Sequence, residues 1–280
     1  MNHTHYIAAI LVLFFAVGNT SCRHKTKQQN DELYSRHLQR QVKLTVINTP
    51  VPDDKSEINL LVFNDGQELE AMHLKDLIDS LYKEKKIEPL VVVGVYAENR
   101  KQEYGISDKT NTTSIGAKAD SYDSFFNNEL YPFAKTSAGV RKFKSVTIAG
   151  FGAGALSAMD LAWNHPDKII KAGLFSGAFS RKDNATTIDT IPEGAMYEKL
   201  KSSRKRPKTQ FWFYAGANGN TDIAGDDAGN ISAGTNAIVS LLNNKNSTTD
   251  GDVTYKKGTT NNKAAWRSVM PEFLEWAVGR

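Results

Sequence analysis

The sequence contains a single cysteine, Cys22, among its 280 residues. A lone cysteine excludes a disulfide within the chain, whatever the redox state of its surroundings. The fold must therefore depend on a packed core, and an apolar fraction of 40% is enough for one large domain. The net charge of +4 is small, and the aromatic residues are not interleaved with basic ones as a nucleic-acid surface requires. We therefore expect no nucleic-acid partner.

Long apolar runs are also lacking. The run Ile7 to Val17 has 11 residues, whereas a transmembrane helix needs about 20. The small or polar residues Gly18 to Ser21 follow it, as at the cleavage site of a secretory signal peptide. We interpret residues 1–21 as a signal peptide, and we expect the protein to be exported.

Cys22 comes directly after these small or polar residues. This arrangement resembles the lipobox of bacterial lipoproteins, in which the cysteine is acylated and becomes the first residue of the mature protein. Asn19 departs from the lipobox, and no Lys or Arg precedes the apolar run, so an ordinary signal peptide with an incidental cysteine is the alternative. We expect residues 22–40 to be a lipidated N-terminus and tether. Residues 41–280 then form one domain at a cell-envelope membrane, facing the periplasm or the cell surface.

Short β-rich segments alternate with helical patterns along this domain. The predicted strands are Lys43 to Asn48, Asn59 to Asn64, Leu90 to Val95, Ser145 to Ala149, Ala172 to Phe175, Gln210 to Ala215 and Asp252 to Lys257. The predicted helices are Glu68 to Lys85, Ala119 to Phe133, Ala153 to Trp163, Gly194 to Ser203, Ile231 to Leu242 and Ala264 to Val278. This alternation predicts an α/β fold with a mostly parallel sheet and helices on both faces. Ligands of such sheets lie at the carboxyl ends of the strands, so we expect a site in the loops after Asn64, Ala149, Ala215 and Lys257.

The segment Val146 to Met159 is an apolar strand that runs into a helix through small residues. This order is typical of a nucleophile elbow, whose G-x-S-x-G pattern lets strand and helix approach closely and lifts the central side chain above the sheet. Gly150 and Gly154 occupy the flanking positions of that pattern. The central position, where a nucleophilic serine is expected, is Gly152.

Several further stretches follow in the order of a known family. They are Leu60 to Gln67 with its Asp-Gly-Gln turn, Glu98 to Tyr104, Phe125 to Pro132, His165 to Asp167, Phe175 to Phe179, Trp212 to Gly216 and Trp266 to Trp276. Together they cover most of Gln41 to Trp276, and the chain resembles the putative-esterase family of α/β-hydrolases, which includes esterase D and the enterochelin esterases. The resemblance implies an α/β-hydrolase fold and acyl transfer, in which a Ser attacks the ester, a His takes its proton and a carboxylate orients the His.

The triad positions implied by this resemblance are degenerate. Gly152 stands at the serine position and has no side chain that could form an acyl-enzyme. The family's histidine matches Asn261, five residues before Trp266, and an amide that does not titrate near neutral pH cannot act as a general base. The acid position best matches Gly219, and the alternatives in the same loop are Asp222, Asp226 and Asp227.

The distribution of histidines leads to the same conclusion without the resemblance. In α/β-hydrolases the catalytic histidine follows the nucleophile and the acid, whereas the last histidine of this chain is His165. We expect a capping or packing role for His165, just after the elbow helix. The alternative is His73 as a migrated base. Ser157 lies five residues beyond the elbow on its helix and is not expected to replace the nucleophile.

The backbone of the site does not depend on the lost side chains. We expect an oxyanion hole from the N–H groups of Ala153 and Gln67, which would hold a carbonyl or an anion. The pocket candidates beside it are Asp65, Gly66 and Trp266. No cofactor and no metal site are predicted, because the carboxylates of the loop after Gly219 do not follow the spacing of an EF-hand.

Three functions remain open. The first hypothesis is a non-catalytic lipoprotein that binds a small-molecule ligand or a protein partner at the old ester pocket. The alternative is an active carboxylic-ester hydrolase, on acylated sugars or siderophore esters as the resemblance implies, with a non-standard site. The third is a structural or assembly subunit, which the basic run Lys199 to Lys208 would favour. That run is otherwise a solvated helix end or a contact for an anionic lipid headgroup.

Overall fold

A computed structural model describes residues 25–107, 116–180, 194–205, 208–218, 230–245 and 252–280. In this part of the chain, eight strands form one sheet in the order β1-β2-β4-β3-β5-β6-β7-β8. The strands are β1 Lys27–Ser35, β2 Arg40–Asn48, β3 Asn59–Asn64, β4 Leu90–Val95, β5 Val146–Phe151, β6 Lys171–Phe175, β7 Gln210–Asn218 and β8 Val253–Thr260. The strands β3 to β8 run parallel to their neighbours in this set, whereas β1 pairs antiparallel with β2, and β2 pairs antiparallel with β4.

Helices connect the strands and cover both faces of the sheet. They are α1 Leu74–Lys83, α2 Arg100–Glu103, α3 Ala119–Phe125, α4 Tyr131–Ala138, α5 Ala153–Asn164, α6 Ala195–Ser202, α7 Ile231–Asn244 and α8 Lys263–Val278. A π-helical turn, Phe126–Leu130, joins α3 to α4. Within the described ranges, none of these helices is long and apolar enough to cross a bilayer.

The core consists of two hydrophobic layers on opposite faces of the sheet. Leu60 and Val62 of β3 pack in the layer covered by α3 to α7, and Leu61 and Phe63 pack in the layer covered by α1 and α8. Successive side chains of a strand point to opposite faces, so β3 is apolar throughout because both of its faces are buried. The predicted α/β fold with a mostly parallel, doubly covered sheet is confirmed.

The predicted tether is wrong from Lys27 onward. Residues 27–35 form β1, which pairs with β2 from Lys27 opposite Asn48 to Ser35 opposite Arg40. This strand is polar, and most of its residues are exposed, since an edge strand covered on few sides needs little apolar surface. The folded domain therefore begins before residue 41. The signal peptide and Cys22 lie outside the described residues.

The helix predicted from Glu68 begins later than expected, at Leu74. Residues 66–68 instead form a single 3-10 turn after β3. Asp65, which precedes that turn, has a φ of 65° and a ψ of 51°, a left-handed conformation that a regular helix does not contain. The turn places residues 65–68 beside the elbow instead of within α1.

Candidate functional site

The elbow has the backbone of a nucleophile turn with glycine at its apex. Strand β5 ends at Phe151, helix α5 begins at Ala153, and Gly152 between them has a φ of 54° and a ψ of −116°. An L side chain adopts such a positive φ only under strain, whereas glycine adopts it readily. The Gly152 N–H donates to the Phe175 carbonyl at 2.9 Å, and the Gly152 carbonyl accepts from the Ala178 N–H at 3.1 Å. The loop after β6 therefore fixes the turn on both sides.

The flanking glycines allow the close approach that the pattern predicts. A Cβ on Gly150 would lie 2.4 Å from the Gly154 carbonyl oxygen, and a Cβ on Gly154 would lie 2.4 Å from Asp65 Oδ2. Any side chain at either position would force the strand, the helix or the Asp-Gly-Gln turn apart. The elbow and that turn thus pack directly against each other.

Asn64 and Asp65, at the end of β3, tie the Asp-Gly-Gln turn to the elbow. Asn64 Nδ2 donates to the Gly154 carbonyl at 2.8 Å. Asp65 accepts from Arg100 Nε at 2.7 Å and from Arg100 Nη2 at 3.0 Å. Arg100 Nη2 also donates to the carbonyl of Phe151, the residue before Gly152, at 3.2 Å. Arg100 therefore bridges a buried carboxylate and the elbow backbone.

Two buried tyrosines complete this support. Tyr122 donates to Asn64 Oδ1 at 2.7 Å, and the Tyr104 hydroxyl accepts from the Asp65 N–H at 2.9 Å. Burial, followed by the nearby acidic groups, raises the pKa of both hydroxyls well above the ordinary value. Both tyrosines therefore stay protonated across the physiological pH range, and Tyr122 keeps donating to Asn64.

Asn261, the residue that the sequence matched to the family's histidine, lies directly after β8 and is 2% exposed. Its Nδ2 donates to the Gly216 carbonyl at 3.1 Å, and its Oδ1 accepts from the Gly216 N–H at 2.7 Å. The Ser176 hydroxyl donates to the same Oδ1 at 2.7 Å. The amide thus pairs with the backbone of β7 as a neighbouring peptide group would.

Ser176 is the residue that sequence reasoning missed. It follows β6, has a φ of 51° and is 0% exposed. Its hydroxyl accepts from Trp266 Nε1 at 2.8 Å while it donates to Asn261. Because Phe175, the residue before it, accepts from Gly152, this segment connects Gly152 to Asn261. The positive φ of a non-glycine residue was not visible in the sequence.

An ion pair crosses the same edge of the sheet. Lys263 Nζ, at the start of α8, lies 2.7 Å from Glu68 Oε2 in the turn after β3. The loops after β3, β5, β6 and β8 therefore form one continuous cluster at the carboxyl ends of the strands. This is the edge at which the sequence predicted a site.

The structure places the predicted pocket residues beneath the site. Asp65 and Trp266 have no exposed surface, and the Trp266 ring packs on Phe151 with a centroid distance of 4.9 Å. A Cβ on Gly66 would lie 2.4 Å from the Gly94 carbonyl carbon, so this residue packs against β4. These three residues therefore pack in the protein interior, underneath the loops that surround the elbow.

The two residues predicted for the oxyanion hole lie at adjacent elements. Ala153 is the first residue of α5, and Gln67 is in the 3-10 turn after β3. Gln67 Nε2 donates to Asp65 at 3.2 Å. Its Oε1 is buried and has no hydrogen-bond partner within the described residues, so it is a polar group beside the site that a ligand donor could satisfy.

The remaining residues that the sequence singled out are two histidines and the candidates for the acid position. His165 stands at the C-cap position of α5, and its side chain packs near Phe126 with Nε2 2.9 Å from Asp123 Oδ1, in agreement with the predicted capping or packing role. His73 is exposed at the start of α1. Gly219, Asp222, Asp226 and Asp227 lie outside the described residues. In the described part of the chain, no cluster of three or more metal-ligating side chains is found.

Neither Gly152 nor Asn261 carries a side chain that could act as a nucleophile or as a general base. Gly152 offers no atom to attack a carbonyl, and both polar groups of Asn261 are bonded to Gly216. A general base must reach the nucleophile and carry a proton near neutral pH. Neither requirement is met by a buried amide.

One curated relative and several solved structures are similar to this chain. Uncharacterized protein YbbA of Bacillus subtilis (strain 168) is 28% identical over 120 residues, which cover 40% of this chain and 47% of that protein. The matched region thus spans about half the length of that relative. The enterochelin esterase of Shigella flexneri superposes with a TM-score of 0.71 at 18% identity, over 89% of this chain and 57% of that enzyme.

Two further structures match over nearly their whole length. A ferulic acid esterase has a TM-score of 0.69 at 14% identity and covers 91% of this chain and 98% of its own. The BES protein of Bacillus cereus has a TM-score of 0.60 at 15% identity and covers 99% of both chains. These likenesses show the α/β-hydrolase fold of esterases. The family model described as Putative esterase matches residues 35–277, and the chain therefore belongs to the putative esterase family.

Proposed function

We propose that this chain is a non-catalytic member of its family that binds a ligand or partner at the former ester site. The proposal rests on one observation. The elbow keeps its backbone conformation, but the residues at the expected serine and histidine positions cannot act as a nucleophile or as a general base. Gly152 occupies the strained apex, and Asn261 is engaged as a structural clamp. A serine hydrolase needs a hydroxyl at the first position and a titratable imidazole at the second.

The charged residues and the helix N-terminus beside the elbow support a binding role. Asp65 and Arg100 form a two-point ion pair with side-chain exposures of 0% and 11%, and burying charges is costly unless they are paired. Helix α5 begins directly at the elbow, and the N-terminus of a helix favours carbonyl oxygens and anions because its first N–H groups have no partner within the helix. Such a site suits a carbonyl or a carboxylate.

Export and lipid anchoring belong to the same proposal. They are supported by the apolar run Ile7 to Val17 and by the cysteine that follows it at position 22. An acylated cysteine would hold the domain at a membrane of the cell envelope, since each buried methylene contributes about 0.8 kcal/mol. Metabolic labelling with a clickable fatty acid tests this part, and loss of label in Cys22→Ala is the expected result.

Restoring the triad tests the catalytic part. We expect the wild-type chain to hydrolyse p-nitrophenyl acetate no faster than a heat-denatured (boiled) sample of the same chain. The variant Gly152→Ser/Gly219→Asp/Asn261→His should gain turnover, because the elbow conformation is already present and its contacts with Asn64, Arg100 and Phe175 are kept. The matched control is Gly152→Ser alone, which supplies the hydroxyl without a base. Turnover in the wild type that exceeds the boiled chain would contradict the proposal.

The names of the structural relatives suggest the first ligands to try. Enterobactin esterase of Shigella flexneri was solved in the presence of 2,3-dihydroxy-N-benzoyl-serine, and another relative is a ferulic acid esterase. We propose aromatic carboxylic acids or their esters as the ligand class of this site. Calorimetric titration with that serine conjugate and with ethyl ferulate is the test, with Gln67→Ala as the variant expected to weaken binding. Equal binding by Gln67→Ala would place the ligand elsewhere.

A further inference from the structure

A basic groove lies at the opposite edge of the sheet from the elbow. The start of β1, the end of β2 and the start of β4 meet there, because Lys27 pairs with Asn48 and Asn48 pairs with Val91. The groove has a volume of about 1060 Å³ and is bordered also by the end of α1 and by Arg280. The elbow lies at the carboxyl end of β5, so groove and site face in opposite directions.

The charged residues of this groove are mostly basic. Its basic residues are Lys25, Lys27, Lys83, Lys85 and Arg280, and its one acidic side chain is Asp53. Lys83 forms an ion pair with Asp79, but Lys25, Lys27 and Lys85 form none with other described residues. Basic residues collect at helix C-termini to offset the helix dipole. That effect accounts for Lys83 but not for the two lysines at the start of β1.

An exposed apolar side chain lies in the same groove. Val51 is 64% exposed and stands between Pro50 and Pro52, whose rings restrict the loop. Ile170, which is 41% exposed, precedes β6 and so lies at the same edge of the sheet. Basic side chains around a protruding apolar one are typical of surfaces that rest on anionic membranes.

The chain enters the domain at this groove. Cys22 is three residues before Lys25, and three extended residues span roughly 10 Å. We propose that the groove is a contact surface for anionic phospholipid headgroups, so that the domain stands on the bilayer with its elbow facing away from it. Neither the affinity for anionic lipid nor this orientation depends on the proposed anchor at Cys22, because both follow from the position of the groove at the end of the sheet opposite the elbow.

Partitioning into vesicles tests the surface independently of the anchor. The full chain carrying Cys22→Ala is incubated with phosphatidylcholine vesicles and with vesicles containing phosphatidylglycerol, and the ratio of the two partition coefficients is measured. Binding through the N-terminal apolar run contributes to both coefficients, so the ratio isolates the effect of lipid charge. We expect the preference for anionic vesicles to disappear at roughly 0.5 M salt because the charges are exposed.

Charge reversal locates the contact. Lys25→Glu/Lys27→Glu/Lys85→Glu should lower the anionic preference about 100-fold at low salt. The matched control, Lys75→Glu/Lys257→Glu/Arg267→Glu, changes the same charge at the elbow edge and should retain most of the preference. A ratio near one for the parent chain, or equal losses in the two triple variants, would overturn the proposal. Unchanged melting temperatures exclude unfolding as the cause.

The orientation has its own readout. With Cys22→Ala as background the chain has no other cysteine, so Val51→Cys and Lys257→Cys each accept one polarity-sensitive fluorophore. On anionic vesicles the label at position 51 should shift to the blue and be quenched by headgroup nitroxides, and the label at position 257 should not. The reverse pattern, or equal quenching, would contradict this orientation. The test does not depend on whether the protein has esterase activity.

Discussion

At the scale of residues, the site depends on Gly152 and Asn261, which cannot take part in acyl transfer, and on the residues that hold these two in place. Gly152 could be located from the sequence because the elbow pattern is local, and Asn261 because it lies five residues before Trp266. The parts played by Ser176 and Arg100 could not be predicted. Their partners are 85 and 35 residues away along the chain, and a single sequence carries no record of such contacts.

The clamp role of Asn261 predicts a loss of stability on its removal. Asn261→Ala leaves the Gly216 N–H and carbonyl without their side-chain partners in a buried place. Leaving buried polar groups unsatisfied costs about 1–3 kcal/mol, so the free energy of unfolding in urea should fall by that amount. The control is Asn236→Ala on the exposed face of α7, which should change it by less than about 0.5 kcal/mol. Equal effects of the two variants would show that the clamp contributes nothing.

At the scale of elements, seven of the eight strands could be predicted, and five of them, β3 to β7, are largely apolar runs, as strands buried on both faces should be. Strand β1 could not, since an exposed edge strand contains few apolar residues. Long-range polar contacts hold it in place. Ser35 Oγ donates to Glu129 at 2.6 Å, and the N–H of Arg36, directly after β1, donates to the same carboxylate at 2.9 Å.

The start of β1 is also fastened to α1, and this contact predicts a pH dependence. Despite partial burial, hydrogen bonds from Lys83 and Thr26 hold the pKa of Asp79 at about 2, below its ordinary value of 3.8. A carboxyl with a lowered pKa stabilises the fold above its unfolded pKa, and this stabilisation is lost as the pH falls from about 4 toward 2.

Asp79→Asn should therefore be less stable than the wild type at pH 6, and the difference should shrink toward pH 2. Urea unfolding at a series of pH values between these limits measures it. Asp167→Asn, at an exposed carboxyl with no ion pair among the described residues, is the matched control. A difference that stays constant with pH would mean that the ionised carboxylate is not what fastens β1.

The bridge between the Asp-Gly-Gln turn and the elbow gives a second prediction at this scale. Asp65→Asn removes the charge that faces Arg100 in a buried place. Breaking one side of a buried pair costs about 3–5 kcal/mol, so the urea midpoint should fall sharply. Asp76→Asn, whose partner Lys75 is exposed, should cost less than about 1 kcal/mol. A small effect of Asp65→Asn would show that Arg100 does not need this carboxylate.

At the scale of the whole molecule, the fold follows from alternation of strands and helices, and the place of the site follows from the sheet. Strand β5 lies between β3 and β6, so the elbow stands at the centre of the edge where the parallel strands end. The order of the strands depends on pairings across the chain, which is why the sequence predicted the class of fold and the family resemblance supplied its topology. The two ends of the parallel strands therefore differ, since the elbow lies at one end and the basic groove at the other.

The central claim is that the native chain has no activated nucleophile. Intact-mass spectrometry of the wild-type protein after incubation with a fluorophosphonate tests it most directly, because such a reagent modifies a serine that is activated for acyl transfer. The account predicts an unchanged mass for the wild type and a single adduct for Gly152→Ser/Gly219→Asp/Asn261→His. A stoichiometric adduct at any one residue of the wild type would contradict it.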